Sequence, residues 1–266
     1  MGISAIKVCK ECGMQYNTTL AEDRRSHEKH HNGVVEAKQP NTVPAGSNLM
    51  DKYVGDAHHL IRVIDHRGSA ALKQGVEKAL EVTRHDLGGW ILSPQKLWAE
   101  ITNPHNKNDP NHVPRYKVYL YLINLQVVGL VLAERIARGG AYYHGPMIID
   151  EYGGLPNVGV SEHSSEEQEF VYSDFEYKCY MSIDRIWTRR DFRRNGIATL
   201  LVDHARQSFV PGLSLSKEQI AFSRPTSAGR EFATKYCEDV SFKGGPFLSD
   251  LDSAEVVVKD DKFNVC

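Results

Sequence analysis

The sequence predicts a mixed α+β domain, preceded by a small N-terminal module organised around cysteine and histidine. Three observations predict it. Residues 117–123 and 126–136 are strand-like apolar runs separated only by Asn124 and Leu125, the pattern of a β-hairpin. Further on, a strand-like run over 181–188 passes through a cationic turn into residues 195–210, where Ile197, Leu200, Leu201 and Ala205 share one helical stripe. At the start, Cys9 and Cys12 are followed by His27 and His31.

Residues 1–33 form a compact polar unit. Residues 34–58 carry Pro40, Pro44 and Gly46 without a sustained period and are expected to be a linker. The main domain is expected over 59–250. It opens with a short strand at 60–64 and a helix at 70–85 that stops near Gly88-Gly89. Residues 93–115 hold four prolines and predict a long loop. The hairpin is apolar on both faces, so its sheet should be covered on both sides. Residues 139–170, rich in Gly, Ser and acids, predict a loop-like insertion, 219–223 a short strand, and 227–236 a second amphipathic helix. Residues 251–266 are expected to be a tail.

The 266 residues allow one substantial domain plus a small module. A net charge of −2 predicts no strong attraction to nucleic acid or anionic membrane. No apolar run reaches the roughly 20 residues of a membrane span, and the start lacks the apolar stretch of a secretory signal. The five cysteines are odd in number and unevenly scattered, which argues for a reducing compartment. Cys179 and Cys237 read as core residues, and the histidines at 58, 59, 105 and 112 as solvated ones.

Cys9-x-x-Cys12, fourteen residues and His27-x-x-x-His31 fit a structural zinc site, which takes four tetrahedral nitrogen or sulfur ligands. About 30 residues cannot bury enough apolar surface to fold alone, whereas zinc contributes on the order of 10–16 kcal/mol in such peptides. His27 and His31 would share one side of a helix beginning near Ala21, with His30 the alternative to His31. Residues 1–33 balance five basic against four acidic side chains, so a structural or protein-docking role is expected rather than DNA reading.

The segment from Ile183 to Thr199 carries the most chemistry. Arg193-x-x-Gly196-x-Ala198 puts small residues at a helix start, where the backbone can approach a phosphate and unpaired amides point outward. Arg189, Arg190, Arg193 and Arg194 add charge and bidentate donors. The helix dipole offers only about 0.3–1 kcal/mol at an exposed site. Amides and arginines together are therefore expected to supply the grip.

This loop resembles the pyrophosphate loop of the GNAT superfamily of N-acetyltransferases, written Arg/Gln-x-x-Gly-x-Gly/Ala. Arg185-Ile-Trp187 and the string from Ala221 to Cys237 (AFSRPTSAGREFATKYC), joined to the finger, are similar to the cohesin acetyltransferases, the establishment-of-cohesion branch of that superfamily. The resemblance covers 9–31, 117–136 and most of 181–237. It implies a GNAT-type fold, with a central, mostly antiparallel sheet flanked by helices and a splayed strand pair for the cofactor. It also implies a nuclear enzyme that transfers acetyl from acetyl-CoA to lysines of an SMC-type cohesin subunit, with cohesin and replication-associated proteins as candidate partners. By position, the cofactor would meet the strand at Ile186, Trp187 and Thr188. Its pyrophosphate would sit on Arg193, Arg194, Asn195, Gly196, Ile197, Ala198 and Thr199, and Thr226, Ser227 and Ala228 would close the site.

Many relatives place Ser where this chain has Asp184, and Asp where it has Arg224. One reading moves the general base to Asp184, which two-residue alternation would set on the face of Ile186 and Thr188. The other pairs Asp184 with Arg224 as an ion pair, which would lower its basicity.

Overall fold

The computed structural model describes residues 6–9, 14–38, 47–87, 92–143, 171–223, 225–243 and 245–251. Within them, β1 (Ile6–Val8) and β2 (Gln15–Asn17) form an antiparallel ribbon, and α1 (Ala21–Lys38) follows. Next come β3 (Asn48–Val54), β4 (Ala57–Ile64), α2 (Ala70–Leu87) and α3 (Pro94–Leu97). The strands β5 (Glu100–Thr102) and β6 (His112–Pro114) pair with each other. The hairpin is β7 (Tyr116–Ile123) and β8 (Gln126–Arg135), followed by β9 (Arg138–Tyr143), β10 (Val171–Lys178) and β11 (Met181–Thr188). The remainder is α4 (Ile197–Ser208), β12 (Ile220–Phe222), α5 (Ser227–Tyr236) and β13 (Phe247–Asp250).

Nine strands of the described residues make one sheet in the order β10-β9-β13-β12-β11-β8-β7-β4-β3. Only β11–β12 and β12–β13 are parallel. The mostly antiparallel α+β architecture is therefore the one predicted. The hairpin lies inside this sheet because its turn is tight. Asn124 and Leu125 both adopt positive φ, 49° and 66°, the two-residue geometry that matches strand twist. The turn is tied to β4: Asn124 N donates to His58 O, and His58 N donates to the Asn124 side chain, both at 2.8 Å.

Alternation along the hairpin divides the core. Tyr119, Tyr121, Val131 and Ala133 pack on the side of α4, with Leu201, Val202 and Ala205. Val118, Leu120, Leu130 and Leu132 pack on the side of α2, with Val76, Ala79 and Leu80. Both faces are covered, which explains the continuous apolar runs. Cys179 and Cys237 are buried in the α4-side core.

The structure departs from the sequence reading in several segments. Residues 48–54, assigned to the linker, form β3 on the sheet edge. Most of its side chains are exposed, so nothing forced an apolar alternation. The loop predicted over 93–115 contains α3, β5 and β6, each too short to show a period. Residues 139–143 of the predicted insertion belong to β9, which pairs with both β10 and β13. Its glycines read as a loop because close packing requires them: a Cβ on Gly139 would lie 2.8 Å from Cys179 Sγ. The rest of that insertion, 144–170, and the tail from 252 lie outside the described residues. His105 is half-buried rather than solvated. It stacks on Tyr180 at 4.0 Å, with its Nε2 2.9 Å from Ile136 O.

Gly129 of β8 fixes how closely α4 approaches the sheet, since a Cβ there would stand 2.7 Å from Ile197 Cγ2 and 3.1 Å from Leu201 Cδ1. Gly129→Ala is expected to destabilise the domain by about 1–3 kcal/mol through overpacking. Urea unfolding monitored by circular dichroism checks this; an unchanged midpoint would show that α4 can move away without loss.

Candidate active site and metal centre

The metal centre is assembled by the β1–β2 ribbon and α1. Cys9 leaves β1, and His27 and His31 stand one helical turn apart on α1. Their ligand atoms lie within 4.8 Å of one another, with Cys9 Sγ 3.4 Å from His31 Nδ1. His27 stacks flat on Tyr16 at 3.8 Å, and its Nε2 is buried without a hydrogen-bond partner. A buried imidazole nitrogen with no partner, facing a thiol and a second imidazole, fits a zinc site. Cys12, the fourth predicted ligand, lies outside the described residues, and His30 is not part of the cluster.

The second site begins where two parallel strands part. β11 pairs with β12 only through Met181–Ile183, although β11 continues to Thr188. Ser223 closes the fork: its N donates to Ile183 O at 3.1 Å and its Oγ to Asp184 O at 3.0 Å. Beyond the fork lies a cleft of about 1570 Å³, lined by Ile186, Trp187 and Thr188 as well as by the loop after β11.

That loop turns through a 3₁₀ segment, Arg190–Phe192, and then through Arg194 and Gly196 at φ 64° and 74°. A non-glycine residue there costs roughly 1–2 kcal/mol, a strain that the surroundings must hold in place. Gly196 is the N-cap of α4 and offers no side-chain bond to the first amides, so these remain available to an anion. Arg193, Arg194, Gly196, Ile197, Ala198 and Thr199 all line the cleft, whereas Asn195 turns its amide back to Phe192 O. The N-terminus of α5 opens on the same cleft through Thr226, Ser227 and Ala228. Thr226 also caps that helix, accepting from Gly229 N at 3.2 Å.

The arginines contribute less free charge than their number implies. Arg189 is paired with Asp191 and lies over the Phe192 ring. Arg190 and Arg193 both reach Asp86. Arg194, 84% exposed, faces Glu231 at 3.4 Å. The amides at the start of α4, left without a side-chain cap, are therefore the freer donors. Asp86 was missed in the sequence because it merely ends a helix, with no spacing to mark it.

Asp184 sits at a β-bulge, between the Ile183–Ala133 and Arg185–Leu132 pairs. The bulge resets the alternation: Ile183 and Ile186 pack on the α4 side, and Trp187 on the α2 side. Two-residue alternation therefore does not place Asp184 with Ile186 and Thr188, though all three line the cleft. Asp184 is only 10% exposed, with Arg185 Nε 3.8 Å away. Burial, reinforced by the negative charges of Glu134 and Asp250, pushes its carboxyl up to about 7 despite the Arg185 and Arg115 cations. Arg224, the alternative partner, lies outside the described residues. Glu134, Asp203 and Asp250 also line the cleft and escaped the sequence reading. Arg115 holds Glu134 at 2.8 Å, and Asp203 accepts from Tyr236 and Arg206.

Replacing a ligand tests the metal centre. His27→Ala is expected to remove stoichiometric zinc, measured by elemental analysis, and to open residues 1–38 to limited proteolysis. Retained zinc would exclude His27 as a ligand.

Comparison with known proteins bears on both sites. Residues 1–33 match the family described as the zinc-finger of acetyl-transferase ESCO, and residues 177–244 the ESCO1/2 acetyl-transferase. Human N-acetyltransferase ESCO2 is 31% identical over 238 residues, which are 88% of this chain and 34% of that protein. N-acetyltransferase ECO1 of Saccharomyces cerevisiae is 26% identical over 260 residues, 90% of this chain and 86% of that protein. The chain thus spans about a third of the human relative but most of the yeast one. In fold it is similar to the xEco2 acetyltransferase domain, with a TM-score of 0.53 and 23% identity over 77% of this chain and 97% of that one. A second structure holds the xEco2 domain bound to a K105-CoA conjugate. One polypeptide thus joins an ESCO-type zinc finger to an ESCO-type acetyltransferase segment, and over most of its length the chain is similar to the ESCO2 and ECO1 N-acetyltransferases.

Proposed function

We propose that this protein transfers the acetyl group of acetyl-CoA to lysine side chains of an SMC-type cohesin subunit in the nucleus, thereby establishing sister-chromatid cohesion. The observation that carries the enzymatic reading is the forked β11–β12 pair, with the end of β11 and two helix N-termini lining one cleft. The similarity to the ESCO2 and ECO1 N-acetyltransferases supports the lysine acceptor and the cohesin partner, and the finger then serves as a docking module.

Acetyl-CoA supplies an activated acyl carbon on a thioester. The amides of Ile197, Ala198 and Thr199 are placed to bind its diphosphate. Those β11 N–H groups beyond Ile183 that point away from β8 are placed to polarise the thioester carbonyl. A lysine ammonium, which ordinarily titrates at about 10.4, must lose a proton before it attacks. Asp184, buried and shifted toward neutrality, is matched to accept it. The amine nitrogen then bonds to the acyl carbon, the carbon–sulfur bond breaks, and the departing CoA thiolate takes up the proton that the new amide nitrogen releases.

Radiolabelled acetyl transfer to a cohesin SMC head domain tests the assignment. Label on its lysines is expected; label only on other amines would replace the acceptor class. Binding of acetyl-CoA without transfer would mark an inactive adaptor. For Asp184, the base is the ionised form, so the rate should rise with pH through about 7, and Asp184→Asn should lose about 100-fold or more of the rate. An unchanged rate for Asp184→Asn across roughly pH 6–9 would remove Asp184 as the base.

The same carboxyl makes a stability prediction. Its folded value lies above the ordinary 3.8. The stability it contributes is therefore complete below about pH 4 and lost as pH rises through 7. Asp184→Asn should be more stable than wild type at pH 8, by on the order of 1–4 kcal/mol, and no more stable at about pH 4. Denaturant midpoints at the two pH values measure this; equal differences would contradict it.

A further inference from the structure

Three donors of the candidate cofactor site converge on one side chain that belongs to none of its motifs. Asp86 lies in the last turn of α2, the helix that covers the face of the sheet opposite α4. Its Oδ2 accepts from Trp187 Nε1 at 2.8 Å and from an Arg193 guanidinium nitrogen at 3.3 Å. Its Oδ1 lies 3.5 Å from an Arg190 guanidinium nitrogen. The Asp86 side chain is only 8% exposed, whereas those of Arg190 and Arg193 are about half exposed. Arg193 also donates its Nε to Thr188 O at 3.0 Å, so it bridges the end of β11 and the end of α2.

We propose that Asp86 is the positioning residue of the diphosphate loop: one carboxylate fixes the indole at the end of β11 and two guanidinium groups of the turn. The inference rests on the reading of the cleft as an acetyl-CoA site. A carboxylate beside an anion site repels the ligand, so its presence needs a compensating role. Geometry supplies one. The buried indole N–H needs an acceptor, and two oxygens shared among three donors hold a strand end and a loop to a rigid helix. With Asp86 absent, Arg190 and Arg193 lose their shared anchor on α2, and the strained path through Arg194 and Gly196 loses its link to that helix. The ordering then has to occur on binding, and affinity falls. Asparagine cannot substitute, because it keeps one acceptor oxygen and turns an NH₂ toward donors. Glutamate keeps the charge but moves it by a methylene.

Calorimetry with CoA on the full, zinc-loaded chain tests this, using wild type, Asp86→Ala, Asp86→Glu, Arg193→Ala and the Asp86→Ala/Arg193→Ala double variant. The expected result is about tenfold weaker CoA binding for Asp86→Ala, with Asp86→Glu still weaker than wild type. Arg193→Ala should weaken binding in the wild-type background but have little further effect once Asp86 is gone. In steady-state assays, the loss should fall on the KM for acetyl-CoA, with the KM for a lysine peptide unchanged. Binding by Asp86→Ala as tight as wild type or tighter would overturn the proposal. So would full rescue by Asp86→Glu, since charge alone would then suffice, or additive losses in the double variant. If Asp86→Ala does not fold, the comparison of Asp86→Glu with wild type still decides. No heat of CoA binding by wild type would instead sink the acetyl-CoA reading itself.

Discussion

The separation of β11 from β12 after three residue pairs is the constraint on which the rest depends. Backbone N–H and C=O groups inside a protein must be paired, and β11 runs on for five residues past its parallel neighbour. Ser223 satisfies the carbonyls at the fork, and what lies beyond is open to a ligand. Everything around the fork keeps it open. The bulge at Asp184 turns the strand there, the loop after Thr188 folds over its end, and α4 and α5 start on either side. The functional surface is thus a break in a regular sheet, made rigid by the regular parts.

That rigidity comes from the pairing of β11 with β8 and from the contact of α4 with β8 at Gly129. The hairpin supports both faces at once, with tyrosines and small residues toward α4 and leucines toward α2. A nearly continuous apolar sequence is the signature of such a strand. Some of the polar groups that the core tolerates, Glu134, Arg135 and Asp250 among them, line the cleft. Glu134 is held by Arg115, and Asp184 keeps a carboxyl in surroundings that disfavour its charge. Such a placement is unfavourable for stability and suited to moving a proton near neutral pH.

What could be read from the sequence was chemistry carried by neighbours along the chain. The spacing of Cys9, His27 and His31 and the residues of the loop from Arg193 to Thr199 are local patterns: the first three gather in one cluster, and the loop residues except Asn195 line the cleft. The carboxylates of Asp86, Glu134, Asp203 and Asp250 come from four separate elements and meet only through the topology of the sheet, so no spacing announces them. Strands β3, β9 and β13 were hidden for different reasons. β3 has one pairing partner and little to bury, β9 carries glycines demanded by packing, and β13 is four residues long and wholly buried. The bulge at Asp184 was invisible because alternation presumes an unbroken ladder.

The edge position of β3 has a consequence for how copies of this protein behave beside one another. Among the described residues no strand pairs with its outer side, which lies next to an exposed Tyr53. Asp51 and Lys52 stand in the middle of that strand, and Asp51 is bonded to His58 on β4. Charges on a rim strand deter the stacking of sheets into fibres. Among the described residues β3 is a rim of the nine-stranded sheet, and these two side chains put opposite charges on it, the pattern that discourages edge-to-edge growth.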